Sequence, residues 1–256
     1  MRTAIKVLLA VFLTLLLLAG VTLYGAWWYE NNVDRSGWTL EDGVYSYKDF
    51  YGDPVTGWQE IDGSTYYFSP LDSSMATYWQ EIDGARYYFS GDGTLDTGLW
   101  SIDGSTYYLG EDGRMQTGWL DMEGNRYYLG SDGAMQTGWQ TIDGDQHYFD
   151  EDGKMVDGWR SIDGIGYYFD STGRMLTGWQ VIGISKYYFG QNGVMRIGWQ
   201  TINDRRYYFG STGAMQIGWK TLDGKRYYFE TNGQMVTGAY SINGKWYWFD
   251  SNGVLQ

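Results

Sequence analysis

A period of twenty residues governs this chain from Trp38 to its C-terminus. Trp119, Trp139, Trp159, Trp179, Trp199 and Trp219 recur at strict spacing, each preceded by Gly, and Met115 through Met235 keep the same step. Self-similarity at a fixed short period marks a stack of small supersecondary units that bury apolar surface only against their neighbours. Such a chain folds as an array, not around a single enzyme-like core.

The unit 138–158 shows what is repeated. Trp139 to Ile142 is a short β-prone run, Asp143-Gly144 follows, and Asp145 to Phe149 returns. A two-residue Asp-Gly between such runs is a strong hairpin signal, because a type I′ turn needs positive φ at both positions. Two units depart, with Gly183-Ile184 and Asn203-Asp204, so their turns are expected to differ. The loop length sets the register: Trp139 opposes Tyr148, Gln140 opposes His147, Thr141 opposes Gln146 and Ile142 opposes Asp145. Gln140, Ile142, His147 and Phe149 then share the inner core face, and Trp139, Thr141, Gln146 and Tyr148 share the other. A lone two-stranded hairpin is marginal in water, so each must stack on the next. About eleven units fill 38–256, the first of them degraded: Tyr45 and Tyr47 blur its pattern, and Lys48 replaces the usual Phe.

Residues 1–29 are of another kind. Arg2 and Lys6 precede an uncharged, mostly apolar stretch from Val7 to Tyr29, ending in Trp27, Trp28 and Tyr29. A helix of that length covers a bilayer core of about 30 Å, with the basic flank in the cytoplasm and the aromatics at the far interface. The expectation is an uncleaved transmembrane signal anchor and a polar joint at 30–37, with the array outside the cell. A cleaved signal, giving a secreted or cell-wall protein, is the competing reading, although Tyr24 and Ala26 make a poor cleavage site. Without Arg2 and Lys6, sixteen basic residues face 31 acidic ones, a net charge of −15 on the exported part. That excludes nucleic acid as a partner, since phosphate neutralisation needs a basic face. With no cysteine there is no disulfide framework and no thiolate site.

The pattern GWQTIDG…YYF…GxMxTGW resembles the cell-wall-binding repeats of choline-binding proteins, of the glucan-binding domains of streptococcal glucosyltransferases, and of the C-terminal regions of large clostridial toxins. The likeness is clearest in 198–219 and 218–238. It implies an all-β, left-handed solenoid of hairpins with ligand sites between successive hairpins. In choline-binding members a quaternary ammonium sits in a cage built from the Gly-Trp aromatic, a second Trp just before the Tyr pair, and the second Tyr, with Met as a floor. Carried onto this chain, that second wall falls at Thr65, Arg86, Thr106, Arg126, Gln146, Gly166, Lys186, Arg206, Arg226 and Trp246. Only Trp246 is aromatic, and its unit has Ala239 in place of the first Trp. The expectation is that no unit keeps the full cage, which ranks choline on teichoic acid below carbohydrate as the ligand.

Arg126, Arg206 and Arg226 are instead expected to stack on their own aromatics and close those sites. Units with small or neutral residues there stay open to sugar rings. The candidate ligand-binding residues are Trp58 with Tyr67, Trp139 with Tyr148 and Met155, and Trp159 with Tyr168, Met175 and Trp179. No catalytic, cofactor or metal site is expected. His147, the sole histidine, reads as a core substitution, and the recurrent acids serve the turns. Asp150, Asp152 and Gly153 faintly suggest a calcium loop but lack its bidentate Glu. The reading is a non-catalytic surface protein of a Gram-positive type cell that binds envelope or host glycans. A ligand-free structural stalk is the alternative, and any catalysis is expected from a separate partner protein.

Overall fold

The computed structural model describes residues 35–256, so the transmembrane helix expected at 1–29 lies outside the described residues. Among those described, no helix is long and apolar enough to cross a membrane. They form an all-β chain of eleven antiparallel hairpins, each a separate two-stranded sheet. The chain divides into two compact units, one ending at Gln116 and one spanning Thr117–Gln256. The first holds hairpins 37–48, 57–68, 78–89 and 98–109. The second holds 118–129, 138–149, 158–169, 178–189, 198–209, 218–229 and 238–249.

Turn chemistry sets each register as the sequence predicts. Trp139 faces Tyr148, Gln140 faces His147, Thr141 faces Gln146 and Ile142 faces Asp145. Asp143 and Gly144 both take positive φ, 53° and 89°, which defines the type I′ turn. The two departing turns solve the same closure differently. At Gly183-Ile184 only the first residue is left-handed, with φ 61°, the type II′ solution, whereas Asn203 and Asp204 reach 50° and 59° without any glycine.

Within the second unit, a hairpin buries one face on the Trp–Tyr face of the hairpin before it. Ile202, Tyr207 and Phe209 form a buried cluster closed by Trp179 and Tyr188 of the hairpin before. Val236, Ile242 and Phe249 are closed in the same way by Trp219 and Tyr228. The Trp–Tyr face is therefore half of a core as well as a surface. Methionine ties the stack through the backbone. Met175 bridges Phe169 of its own hairpin, and its N–H donates to the carbonyl of Gln146, one hairpin earlier, at 2.8 Å. Its thioether then lies against Gly193 of the following loop.

That contact explains one glycine. Gly193 has φ +74°, and a Cβ there would collide with the Met175 side chain, whereas Gly224 has φ +75° with open space around it. Gly224→Ala is expected to lose about 1–2 kcal/mol from left-handed strain alone. Gly193→Ala adds overpacking and is expected to lose about 2–4 kcal/mol. Urea unfolding of the two variants checks the difference; equal losses count against the methionine contact.

Candidate functional site

Each tryptophan has two sides. Trp159 meets Tyr168 of its own hairpin at 5.0 Å between centroids, Tyr187 of the next at 4.9 Å and Phe189 at 5.9 Å. Trp58 with Tyr67 and Tyr87, and Trp139 with Tyr148 and Tyr167, repeat this edge-on geometry at 4.9–5.2 Å. Those contacts hold the stack. The other side of the indole is free to meet whatever stands seven residues further on.

In five hairpins that residue is a cation. The guanidinium carbons of Arg86, Arg126, Arg206 and Arg226 lie 4.4, 4.6, 4.5 and 4.2 Å from the ring centroids of Trp79, Trp119, Trp199 and Trp219. The Lys186 ammonium lies 4.5 Å from Trp179. The expected closure by Arg126, Arg206 and Arg226 is thus observed. Arg86 and Lys186 do the same, although sequence reasoning passed over them; their charge at the shared position was the available signal. All five capped indoles are half-buried. Without a cation, Trp58, Trp139 and Trp159 stay 39, 38 and 42% exposed. Gln146 leaves Trp139 uncovered because its amide donates to the Thr141 hydroxyl at 2.6 Å.

The expected grouping of site residues needs correction. Met155 donates its N–H to Arg126, Met175 to Gln146 and Met195 to Gly166. Each methionine therefore serves the groove one hairpin earlier than expected. Met175 belongs with Trp139, Met155 with Trp119, and Met195 with Trp159. Trp179 drops out of the open set because Lys186 covers it.

A second correction concerns the first hairpin. Its register pairs Trp38 with Tyr47 and Leu40 with Tyr45, which puts Tyr45 where Thr65 stands in the next. The apparent degradation is an aromatic second wall. Trp38, at 41% exposed, lies 5.0 Å from Tyr66. Met75 fixes the floor by donating its N–H to the Tyr45 carbonyl at 2.8 Å. Trp38, Tyr45, Tyr66, Met75, Gly91 and Asp92 together line a cavity of about 540 Å³. The Asp92 carboxylate accepts from the Thr94 hydroxyl at 2.8 Å and its backbone N–H at 3.1 Å. These bonds hold its pKa below the usual carboxylate range, so an anion stands at the mouth at neutral pH. Three π-faces, a thioether floor and a carboxylate suit an organic cation. The corresponding groove at Arg126 has similar volume but is lined by Asp121, Asn125, Arg126 and Asp157, its cation already in place.

His147 is a core substitution, as expected. It is 4% exposed and meets Trp119 edge-on at 5.2 Å. The Asp150 carboxylate accepts from the N–H groups of Asp152 and Lys154, a turn-stabilising role. No grouping of acids and histidine that could hold a metal exists among the described residues.

The choline-binding repeat family matches residues 55–95, 96–137, 136–176, 156–197, 196–236 and 217–255, and the chain belongs to it. Its structure is similar to that of CbpJ from Streptococcus pneumoniae TIGR4 (30% identity, TM-score 0.68, covering 86% of this chain and 94% of that one). It is also similar to choline binding protein F from Streptococcus pneumoniae in the presence of a peptidoglycan analogue, a tetrasaccharide-pentapeptide (31%, 0.64, 86% and 93%). The choline-binding domain of CbpL from Streptococcus pneumoniae is a third (30%, 0.53, 71% and 97%). No curated protein sequence matches the chain. The family match begins beyond the first hairpin, which supplies two walls of the aromatic cage.

Two outcomes follow. Burial lowers the His147 pKa below its ordinary value, and its Nδ1 finds no hydrogen-bond partner among the described residues. The unfolded chain therefore takes up a proton first, and folded stability falls as pH drops below about 6.5. Between about pH 6.5 and 5, His147→Tyr is expected to flatten this slope in thermal melts. Separately, Arg226→Thr is expected to uncover Trp219, losing about 0.5–1 kcal/mol of stability. Stronger iodide quenching of tryptophan emission reads that exposure, and unchanged quenching counts against the cap.

Proposed function

We propose that this chain is a non-catalytic binding protein of the cell envelope that captures choline-like quaternary ammonium groups in the Trp38 cage. The observation that carries this reading is the cavity lined by Trp38, Tyr45, Tyr66 and Met75 with an ionised Asp92 at its mouth. A trimethylammonium group has no N–H to donate, so its recognition relies on desolvation and on the negative faces of aromatic rings. Membership of the choline-binding repeat family supports the same chemistry. The ranking expected from sequence is reversed in this reading: an aromatic at the second-wall position of the first hairpin, Tyr45, supports placing choline ahead of carbohydrate.

The capped hairpins take no part in cation capture, because each already holds a cation of its own on the indole. Sugar remains the second reading for Trp58, Trp139 and Trp159, whose exposed indoles offer platforms for pyranose C–H faces. The crystal form of choline binding protein F with a peptidoglycan analogue supports it. Each stacked contact of this kind contributes about 0.5–1.5 kcal/mol, so useful glycan affinity comes from several platforms acting together. The apolar run after Arg2 and Lys6 supports display from a membrane anchor, and any catalysis is assigned to a separate partner.

Calorimetric titration of the chain with choline is the test. Tyr45→Thr copies the second hairpin and is expected to weaken choline about tenfold, the loss of a desolvated cation–π wall worth ~1–2 kcal/mol. Thr65→Tyr sets an aromatic opposite Trp58 and Tyr87 and is expected to add about one choline site per chain. Choline binding that is indifferent to Tyr45 contradicts the cage. Silence towards both choline and peptidoglycan fragments favours the structural stalk.

A further inference from the structure

Arg196 breaks the pattern of its position in the repeat. Gln136 and Gln216, at the equivalent place in other loops, fold their amides back onto the Ala134 and Ala214 carbonyls at 2.8 and 2.9 Å. Val156 and Val236 bury an apolar side chain there instead. Arg196 is half-buried, and its guanidinium makes no hydrogen bond or ion pair among the described residues. Other loop cations do find an acid: Lys154 pairs with Asp152 at 3.4 Å and Arg174 with Asp170 at 3.0 Å. A half-buried charge without a counter-ion is costly, and nothing in the stacking of the hairpins requires one here.

The missing counter-ion can be traced to one residue. A Cβ built on Gly130 would meet Asp132 Oδ1 at 2.7 Å and Gln136 Nε2 at 2.8 Å, so an acid and a donor converge over that glycine. Over Gly190 the converging atoms are Asn192 Oδ1, at 2.8 Å, and Arg196 Nη2. Where the donor has become a cation, the carboxylate has become an amide. Asn192 Oδ1 accepts the Val194 N–H at 3.4 Å, which leaves the amide N–H groups of Asn192 without a partner among the described residues. The surrounding sequence carries the same bias. Residues 178–229 hold seven basic residues against Asp204 and Asp223, a local charge of +5 in a chain of −13.

We propose that the cavity around Arg196 is a second ligand site, one that takes an oxyanion borne on a hydroxylated unit: a sugar acid or a polyol phosphate. The cavity measures about 440 Å³, and Arg196, Asn192, Gln191, Gln200, Thr201 and Tyr188 line it without any carboxylate. The Trp38 cavity has Asp92 and the Arg126 groove has Asp121 and Asp157, so both of those repel an anion. A guanidinium presents a planar fork of N–H donors that fits two oxygens of a carboxylate or phosphate. The amides and hydroxyls around it pair with the hydroxyl groups of the carrier. Acids elsewhere in the chain oppose a long polyanion, so the positive field draws in a local anionic group. The site is separate from the Trp38 cage and stands whether or not that cage takes choline.

Ligand-observed NMR titration of the full chain with glucuronate and with glycerol 1-phosphate tests this, with glucose and glycerol as the uncharged controls. At least one of the two anions is expected to bind well ahead of its control. Glucuronate alone identifies a carboxylate source, glycerol 1-phosphate alone a phosphate source, and both together a site that reads the shared oxyanion. Arg196→Gln copies Gln136 and Gln216, so it is expected to fold, and to weaken the anion by about tenfold or more, the scale of a lost charge-assisted hydrogen bond. Asn192→Asp copies Asp132 and is expected to close the site to the same extent by giving Arg196 an internal partner. Lys225→Gln removes a positive charge from the same stretch but none from the cavity lining, and is expected to change affinity less than about twofold. Wild-type protein that binds neither anion overturns the proposal, and so does an Arg196→Gln variant with wild-type affinity. A Lys225→Gln loss equal to that of Arg196→Gln overturns it as well, because the attraction is then diffuse and no site exists.

Discussion

Everything in this protein depends on an indole ring that packs on one side and faces outward on the other. A two-stranded hairpin of five-residue strands has too little apolar surface to fold alone. It becomes stable when its first Tyr closes against the tryptophan of the hairpin before, edge to face at about 5 Å, with its Phe tilted against the same ring at 5.6–5.9 Å. The same tryptophan cannot be buried on its outer side, because the strands are too short and the step between hairpins is filled by methionine. A row of half-exposed aromatic faces is therefore a by-product of how the repeat folds. Ligand sites need not be built from nothing; they are what remains when an outer face is left uncovered.

The chain treats that by-product in two ways. A cation seven residues after the tryptophan covers the face and turns a latent site into internal packing, as at Trp79, Trp119, Trp179, Trp199 and Trp219. An aromatic at the same position, as at Tyr45, adds a wall to a cavity, which the proposed function reads as a receptor. The chemistry is the same in both cases, a positive charge against a π-face, and the difference is whether the charge is tethered to the chain. A tethered cation has lost little freedom by being held, which makes it a strong competitor for a free ion. Capped positions thus stabilise the stacking of neighbouring hairpins and are closed to further cations, and in the proposed reading the cavity at Trp38 is left to bind.

How much of this was legible depends on the range of the interaction. Register was legible because Asp143-Gly144 is a local instruction, and even the exceptions at Gly183-Ile184 and Asn203-Asp204 could be located in advance. The guanidinium caps were legible because Arg126 and Trp119 lie within one hairpin. The methionine assignment was off by one hairpin because it rests on a backbone hydrogen bond from Met175 to Gln146, twenty-nine residues away, which no local pattern encodes. Tyr45 was misread for another reason. Lys48 and Ser46 break the repeat around it, so the hairpin read as decayed, although the spacing from Trp38 to Tyr45 equals that from Trp58 to Thr65.

That misreading shows how function is separated from architecture in a repeat. A consensus unit is shaped by stacking, since every residue in it must serve two neighbours, and its departures from consensus are where the stacking requirement has been relaxed or overridden. Trp100 is a departure that changes nothing: it replaces the glutamine of other hairpins, and its indole N–H donates to the Thr97 carbonyl at 2.8 Å much as Gln80 donates to Thr77. Tyr45 departs differently: it is 48% exposed and adds nothing to the buried face of its hairpin, yet it lines one cavity with Trp38, Tyr66 and Met75. A departure that is neutral for stacking leaves no mark beyond its own hairpin. A departure that is superfluous for stacking and lines a cavity with residues of other hairpins is where a repeat has room to be adapted for binding.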